Sequence, residues 1–446
     1  MYNRFNSKFF IDLIGNIMSK KINYCIIGDY KNLPISIEHD LDIWTDNTVL
    51  VYECIRESCI RTGFQVLIYN HNSNGFTIVV YKKNKSSIDI IKLDIMRDCS
   101  FKSCFTLVSS NEISNNIDIY KGYNIANKTV ESLMHFLFPY FEYNGLVKKK
   151  YRSDIIKHIK TDLFINKLKQ LFGEKITSEI TTYVINENWE KLRKTSRKFI
   201  YNAIMRFMFK GGFFQYKKVA NVILNNIQHY FKRTGYHIAI CGIDGAGKTT
   251  IVNNLKCIFT TILKEKKVFF SYWRPYVLPE INRILKRRDN IKDVQFDMAK
   301  DRVAYGKFIS LIKFIYYYID YVVGYIKYIN VCSKGGIAIF DRYYLDTVAF
   351  PQRFKLNLPK KFILFFYRYI PIADYTFFLW TNPEQIHLRK AEFSLGEIHD
   401  QINEYRKYGK NIRNYYEIKT NTTVNEEICE IFDILSYKLN SSLMIL

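Results

Sequence analysis

The sequence predicts an α/β protein whose C-terminal part is a doubly wound parallel sheet and whose N-terminal part is an α+β domain, with a helical middle segment. Three observations predict it. From Tyr236 onward, short apolar strand-like runs alternate with helix-like segments. Residues 1–120 instead mix strand-like runs with polar turns, and residues 125–230 carry apolar side chains at three-to-four spacing among many cations. We therefore expect domains at 1–122, 123–233 and 234–446, with a boundary near Lys232–Gly235.

Composition limits the classes of protein and of partner. The chain has 446 residues, of which 48% are hydrophobic and 24% charged, so it is neither disordered nor fibrous and has room for two or three domains. Its formal net charge is +24. A basic surface attracts nucleotides, sugar phosphates, nucleic acid and acidic lipid headgroups without choosing among them.

Cysteine usage and apolar runs predict a cytoplasmic protein. The nine cysteines are odd in number and form no C-x-x-C motif, which argues against a disulfide framework and a zinc ribbon. We expect no secretory signal and no transmembrane segment. The most apolar stretch, Phe308–Tyr328, is interrupted by Lys313, Asp320 and Lys327 and is typical of a core helix, with contact to a membrane surface as the alternative.

A glycine-rich loop is the strongest signal in the sequence. The apolar run His237–Cys241 leads directly into Gly242–Thr249, which fits G-x-x-x-x-G-K-[ST], and the helix-like segment Ile251–Leu263 follows. In this order, backbone N–H groups and a helix N-terminus face a bound phosphate, while the lysine reaches the β- and γ-phosphates. The pattern predicts a phosphate-binding loop that reaches β- and γ-phosphates, with Mg²⁺ on the Thr249 hydroxyl. Its residues are Gly242, Gly245, Ala246, Gly247, Lys248, Thr249 and Thr250.

A second signal lies about ninety residues further along the chain. The buried-strand pattern Gly336–Phe340 ends in Asp341 and Arg342. The carboxyl end of this strand is expected beside the phosphate loop in a doubly wound sheet. There, Asp341 can hold Mg²⁺ through water, and the Arg342 guanidinium can clamp a phosphate. With Lys248, these residues are the predicted catalytic groups.

These motifs resemble the thymidylate kinase-like nucleotide kinases. The phosphate loop, the strand ending in Asp341-Arg342-Tyr343, and the later run Phe377–Trp380 followed by Arg389 appear in that family's order over residues 236–440. The resemblance implies transfer of the γ-phosphoryl group of ATP, with Mg²⁺, to a small acceptor that is already phosphorylated. It also implies that Asp244 belongs to the nucleotide site.

Further acceptor and lid residues are implied by the same resemblance. Arg274, in Trp273-Arg274-Pro275, matches an arginine that holds the acceptor phosphate, and Arg389, a further predicted catalytic group, begins a lid-like segment. That segment continues through Lys390, Glu392, Tyr405, Arg406 and Lys407. Where thymidylate kinases carry small hydroxyl residues and a glutamine, this chain has Asp346 and Pro351, followed by Arg353. The pattern looks more like a divergent branch often encoded among surface-glycan genes, with Asp346 and Arg353 on the acceptor side.

The N-terminal region resembles the minimal nucleotidyltransferases. A strand-like run, Tyr24–Ile27, leads into Gly28, and Asp40, Asp42 and Asp94 follow in the family's order. Residues two apart on a strand face the same side, so the three carboxylates are expected to form a site for Mg²⁺ ions. Gly28 is followed by Asp29, where the family has a small residue, so nucleotidyl transfer here stays an open question.

Three functions remain open from the sequence. The first is a phosphotransferase acting on a nucleoside monophosphate or sugar phosphate. The second is a polynucleotide kinase for end repair that binds nucleic acid through its basic helices. The third is a non-catalytic nucleotide-sensing module. The sequence does not define an oligomeric state.

Overall fold

The structure is a computed structural model that describes residues 2–37, 40–72, 74–84, 87–102, 104–231, 235–279, 305–389 and 393–443. The chain divides into two compact units. The N-terminal unit is built from Tyr2–Asn84 and Asp89–Gln228, and the C-terminal unit from His229–Leu446. The predicted boundary residues 232–234 lie outside the described residues.

The N-terminal unit is built on a mixed sheet. Its described strands are β1 (Tyr2–Asn3), β2 (Tyr24–Ile27), β3 (Leu41–Thr45), β4 (Gln65–Asn72), β5 (Gly75–Lys83), β6 (Ile88–Met96), β7 (Cys99–Phe101), β8 (Phe105–Val108), β9 (Ile117–Tyr120) and β10 (Tyr123–Ala126). In the part of the chain that the structure describes, they form an eight-stranded sheet in the order β4-β5-β6-β3-β2-β10-β9, with β1 paired to β6, and a separate β7-β8 pair. Alternate side chains of β2 and β3 enter two different cores, as the period of two in a strand requires.

Helices cover both faces of this sheet. Their bounds are α1 (Ser7–Ser19), α2 (Thr48–Thr62), α3 (Ser110–Ser114), α4 (Lys128–Glu142), α5 (Arg152–His158), α6 (Asp162–Phe172), α7 (Glu174–Ile185) and α8 (Trp189–Phe231). One core joins the apolar faces of α1 and α2 to Ile26 and Ile43. The other joins Cys25 and Trp44 to α4 and the later helices. The sequence-predicted helical segment thus packs on the N-terminal sheet.

The C-terminal unit is an all-parallel sheet with helices, which confirms the predicted fold class. Its described strands are β11 (Tyr236–Gly242), β12 (Val268–Tyr272), β13 (Ile337–Asp341), β14 (Tyr375–Trp380) and β15 (Tyr415–Lys419), in the order β12-β13-β11-β14-β15. Every neighbouring pair runs parallel. The carboxyl ends of β11 and β13 therefore meet at one edge, and both strands are buried along their length, as expected for a covered parallel sheet.

The described helices of this unit flank the sheet. They are α9 (Lys248–Leu263), α10 (Lys307–Ser333), α11 (Tyr344–Ala349), α12 (Lys360–Tyr367), α13 (Pro383–Arg389), α14 (Leu395–Gly409) and α15 (Val424–Leu443). Within the described residues, α10 is long and apolar enough to cross a membrane by length and composition. It nevertheless packs on β12 and β13, and its Asp320 is fully buried. All nine cysteines lie in the described ranges and carry free thiols.

Candidate functional site

The phosphate loop lies at the carboxyl end of the central strand, as predicted. Strand β11 ends at Gly242 and helix α9 begins at Lys248, so the loop joins the two directly. Gly247, which precedes the helix, has φ 83°, a left-handed conformation that favours glycine. A Cβ atom on Gly242 would lie 2.4 Å from the carbonyl oxygen of Leu379 on β14, so only glycine allows this approach. The glycines of the motif are therefore explained by the backbone path.

Asp341 and Arg342 reach the same edge of the sheet. Ile240 of β11 is paired with Asp341 of β13, and the N–H of Arg342 donates to the carbonyl of Ile240 at 2.8 Å. Arg342 itself has φ 71°, so the chain turns sharply where β13 ends. This turn directs the Arg342 guanidinium toward the loop, and its Nη1 lies 3.3 Å from the carbonyl oxygen of Gly242.

Three cations gather around the Asp244 carboxylate. Lys248 Nζ lies 3.3 Å from Asp244 Oδ1 and donates to the carbonyl of Ile243 at 2.6 Å. The guanidinium groups of Arg342 and Arg353 donate to the two oxygens of the same carboxylate. Lys248, Arg342 and Arg353 are all buried, while the Asp244 side chain is 30% exposed. The Asp244 carboxylate therefore pairs with all three cations at this edge, and Arg342 pairs with Asp346 as well.

Burial and neighbouring charges alter the acid–base behaviour of these groups. Burial, reinforced by the charge of Arg342, lowers the pKa of Lys248 to about 8. Burial opposes ionisation of Asp244, but Lys248, Arg342 and Arg353 outweigh it and hold the pKa of that carboxyl well below its usual range. Burial raises the pKa of Asp341, although Lys248 and Arg342 oppose the rise. The site thus combines closely spaced cations and carboxylates around a lysine whose pKa is lowered.

Buried side chains hold Arg342 in place. Its Nη1 donates to Asp346 Oδ1 at 2.7 Å, and its Nε donates to the hydroxyl of Tyr272 at 3.2 Å. The hydroxyl of Tyr405, on α14, donates to the same oxygen of Asp346 at 2.6 Å. Asp346 is fully buried, and through these contacts it positions Arg342. The predicted binding of the acceptor by Asp346 stays a prediction. Sequence reasoning missed the roles of Tyr272 and Tyr405, since no spacing links them to Arg342.

The remaining arginines lie in different surroundings. Arg389, at the end of α13, is exposed and its Nη1 donates to the carbonyl of Gly245 at 3.3 Å, directly over the phosphate loop. Arg406 stacks on the Trp380 ring and forms an ion pair with Glu417 at 3.0 Å. Of the lid-like segment, Lys390 and Glu392 lie outside the described residues. Arg389 thus lies against the phosphate loop, and its role in a lid stays a prediction.

Arg274 lies buried in an ion pair. Its Nη1 donates to Asp320 Oδ2 at 2.8 Å, and its side chain is 2% exposed. Asp320 also accepts from the backbone N–H groups of Tyr276, Val277 and Leu278. These contacts fix the segment after β12. The predicted contact between Arg274 and an acceptor phosphate stays a prediction.

Oxygen donors suited to Mg²⁺ are present at the loop. Thr249 is exposed at the first turn of α9. The Asp341 carboxylate is 8% exposed and has no hydrogen bond or ion pair with any residue that the structure describes. Mg²⁺ prefers hard oxygen ligands and usually keeps several waters, so a hydroxyl and one carboxylate fit the ion. Thr250 is also exposed.

Two of the three aspartates predicted to hold Mg²⁺ in the N-terminal unit are paired with a lysine. Register places Asp42 opposite Asp94 as expected. However, Lys92 Nζ lies between Asp40 and Asp94, at 2.6 and 2.7 Å from their Oδ2 atoms. Within the ranges described above, no group of three His, Cys, Asp or Glu side chains is arranged to hold a metal ion. The Lys92 ammonium lies at the position where the sequence predicted Mg²⁺. The sequence pattern Lys-x-Asp at Lys92 could have indicated this contact.

A cleft lies beside Gly28 in the same unit. It has a volume of about 290 Å³, and its lining includes Asp29, Tyr30, Lys150 and Tyr151. Behind it the ring of His135 stacks on Tyr151 at 3.7 Å. Burial, helped by Lys150 and other lysines, lowers the pKa of His135 to about 4, so the ring is neutral at pH 7. The cleft therefore combines neutral rings with charges of both signs.

The strand, glycine loop and helix, with Lys248 and Arg342 at one sheet edge, define the C-terminal unit as a phosphate-binding-loop α/β unit. No family model matches the sequence, and no curated protein matches it. Solved structures that it resembles include thymidylate kinase from Ehrlichia chaffeensis, at 18% identity and TM-score 0.31, covering 45% of this chain and 98% of that one. Another is thymidylate kinase from Candida albicans, at 15% identity and TM-score 0.33, covering 47% of this chain and 93% of that one.

Proposed function

We propose that the C-terminal unit is an ATP- and Mg²⁺-dependent phosphotransferase whose acceptor is a small phosphorylated molecule, a nucleoside monophosphate or a sugar phosphate. One observation carries the proposal. Lys248, Arg342 and Arg353 converge on the single carboxylate of Asp244 at the carboxyl end of β11, next to the helix N-terminus of α9. These buried cations are complementary to the anionic oxygens of a phosphoryl group in transfer, which would compete with Asp244 for them.

The reaction follows from these positions. The bond between the γ-phosphorus of ATP and the bridging oxygen to the β-phosphate breaks, a bond to an acceptor oxygen forms, and ADP leaves with the bridging electron pair. Lys248 and the loop amides would bind the β- and γ-phosphates, and Thr249 and Asp341 are the residues that would hold Mg²⁺. When bound, this ion screens the phosphate charge and orients the oxygens.

The acceptor side is assigned to the two guanidinium groups. Arg353 lies next to Arg342, and both now share the Asp244 carboxylate. A phosphate or carboxylate on the acceptor would offer oxygens for bidentate hydrogen bonds of the kind arginine prefers. Arg389 is exposed over the loop at Gly245, where it can approach the transferring group. These contacts support an anionic acceptor over a neutral one.

A labelled-phosphate assay tests the proposal. The full chain is incubated with Mg²⁺ and γ-labelled ATP against a panel of nucleoside monophosphates, sugar phosphates and unphosphorylated sugars. We expect label to move to a phosphorylated acceptor. Lys248→Ala should lower transfer about 10²-fold or more, since it removes a cation from the transition state. Lys256→Ala, which removes an exposed lysine of the same helix, should leave transfer unchanged.

The result decides between the open functions. Label appearing on a nucleic acid 5′ end instead would favour end repair. Equal transfer by wild type and Lys248→Ala would exclude the loop as the catalytic site. Binding of ATP without any transfer across the panel would favour the nucleotide-sensing module.

A further inference from the structure

The N-terminal unit carries an aspartate cluster that the proposed phosphotransfer does not use. Asp42 of β3 lies opposite Asp94 of the parallel strand β6. Asp40 stands two residues before Asp42, and Lys92 stands two residues before Asp94. Because residues two apart face the same side of a strand, Lys92 comes to lie beside Asp40 on the face that carries Asp94.

The lysine is held tightly between two of the carboxylates. Its Nζ lies 2.6 Å from Asp40 Oδ2 and 2.7 Å from Asp94 Oδ2, and its side chain is only 10% exposed. The other oxygen of Asp94 accepts the hydroxyl of Thr77 at 2.5 Å. Both oxygens of Asp94 are therefore engaged with protein donors.

The charge of this lysine is already paired. A lysine side chain is ordinarily an ammonium ion at neutral pH, and both carboxylates lie within ion-pairing distance of it. Its ammonium already neutralises part of the charge that would attract a cation.

A divalent cation cannot share this place with the ammonium. Mg²⁺ and related ions bind carboxylate oxygens at about 2.0–2.6 Å, through the same lone pairs that now accept from Lys92. Like charges this close also repel strongly in a partly buried site. Displacement would leave the ammonium buried without a counter-ion, which is unfavourable.

We infer that Lys92 takes the place of a divalent metal ion in the N-terminal unit, as the permanent counter-ion of Asp40 and Asp94. The unit therefore binds no Mg²⁺ or Mn²⁺ at this cluster and performs no metal-dependent nucleotidyl transfer. Its aspartates and lysine form a closed ionic cluster joining β3 to β6.

Manganese titration tests this inference. Mn²⁺ is added to the full chain without nucleotide, and free Mn²⁺ is followed by electron paramagnetic resonance. The test and its controls all carry Asp341→Asn, which removes the carboxylate of the C-terminal site. Adding Asp94→Asn to the Asp341→Asn chain should cause no loss of Mn²⁺ binding. Lys92→Met, which keeps the side-chain length and removes the charge, should raise Mn²⁺ affinity about tenfold or more by ending like-charge repulsion.

Controls keep each outcome decisive. The gain in Lys92→Met should disappear in Lys92→Met/Asp94→Asn, which carries neutral groups at both positions. Circular dichroism verifies that each variant is folded. The inference is overturned if the chain that retains Lys92 binds Mn²⁺ and loses that binding when Asp94→Asn is added. It is also overturned if Lys92→Met folds and binds no additional Mn²⁺. If Lys92→Met does not fold, the comparison with Asp94→Asn alone decides.

Discussion

Removal of one hydroxyl tests whether buried contacts hold Arg342. Tyr405→Phe deletes the group that donates to Asp346 at 2.6 Å but keeps the ring, which packs on Phe378 at 4.8 Å. A hydrogen bond to a charged group contributes about 1.5–3 kcal/mol. Asp346 Oδ1 keeps its bond from Arg342, so we expect the lower half of that range.

Hydrogen exchange measures this loss in the C-terminal unit separately from the rest of the chain. Amides of β11 open with global unfolding of the unit, so their exchange rate follows its free energy of unfolding. At about 1.4 kcal/mol per factor of ten, we expect exchange to become about 10- to 40-fold faster in Tyr405→Phe. Mass spectrometry of peptides from β11 reads this rate.

A matched tyrosine provides the control. The hydroxyl of Tyr415 is buried and has no hydrogen-bond partner among the residues that the structure describes. Tyr415→Phe should leave exchange unchanged or slow it, because it removes an unsatisfied polar group. If Tyr405→Phe accelerates exchange no more than Tyr415→Phe, the hydroxyl does not stabilise the Arg342 cluster and the reasoning is refuted.

Other predictions concern the phosphate site itself. Because the pKa of Lys248 is near 8, about half of the free chain lacks this proton at pH 8. Bound ATP should restore the proton on Lys248, so calorimetry in two buffers should show uptake of about half a proton on binding at pH 8. Lys248→Met should show no such uptake. ATP binding by the wild type should weaken as the pH rises through 8. Arg389→Ala should lower kcat about 10³-fold and leave the rates of amide hydrogen exchange unchanged. Arg413 is also exposed, and Arg413→Ala should change neither kcat nor the exchange rates. Arg353→Met should raise the KM for the acceptor more than that for ATP in steady-state assays.

The sequence predicted the position of the phosphate loop because the parts of the loop are local in the chain. A glycine pattern at fixed spacing dictates the backbone path of the loop, so Gly242 and Lys248 were identified from the chain alone. The position of Asp341 also followed, since a parallel sheet brings strand ends to one edge.

Contacts between distant residues could not be read from the sequence. Tyr405 and Asp346 are 59 positions apart, and the hydrogen bond between them exists only because α14 packs beside α11. Arg274 fits an acceptor-binding motif, but its partner Asp320 lies 46 positions further on. The burial of Arg274 and Asp320 depends on how α10 packs against β12, and no local sequence pattern predicts that packing.

In the N-terminal unit, the strand pairing was predicted and the chemistry was not. The aspartates were expected on neighbouring strands, and register confirms Asp42 beside Asp94. Lys92 was not considered because a basic residue is foreign to the motif that the three aspartates suggested. Its position two residues before Asp94 would have placed it on the same face.

The most direct test of the central claim is a calorimetric titration of the full chain with ATP and Mg²⁺. If the loop around Lys248 is the nucleotide site, one ATP binds per chain, Lys248→Met weakens that binding about 10²-fold, and Lys256→Met leaves it intact. Equal binding by wild type and Lys248→Met would contradict the account, because the nucleotide would then be held elsewhere.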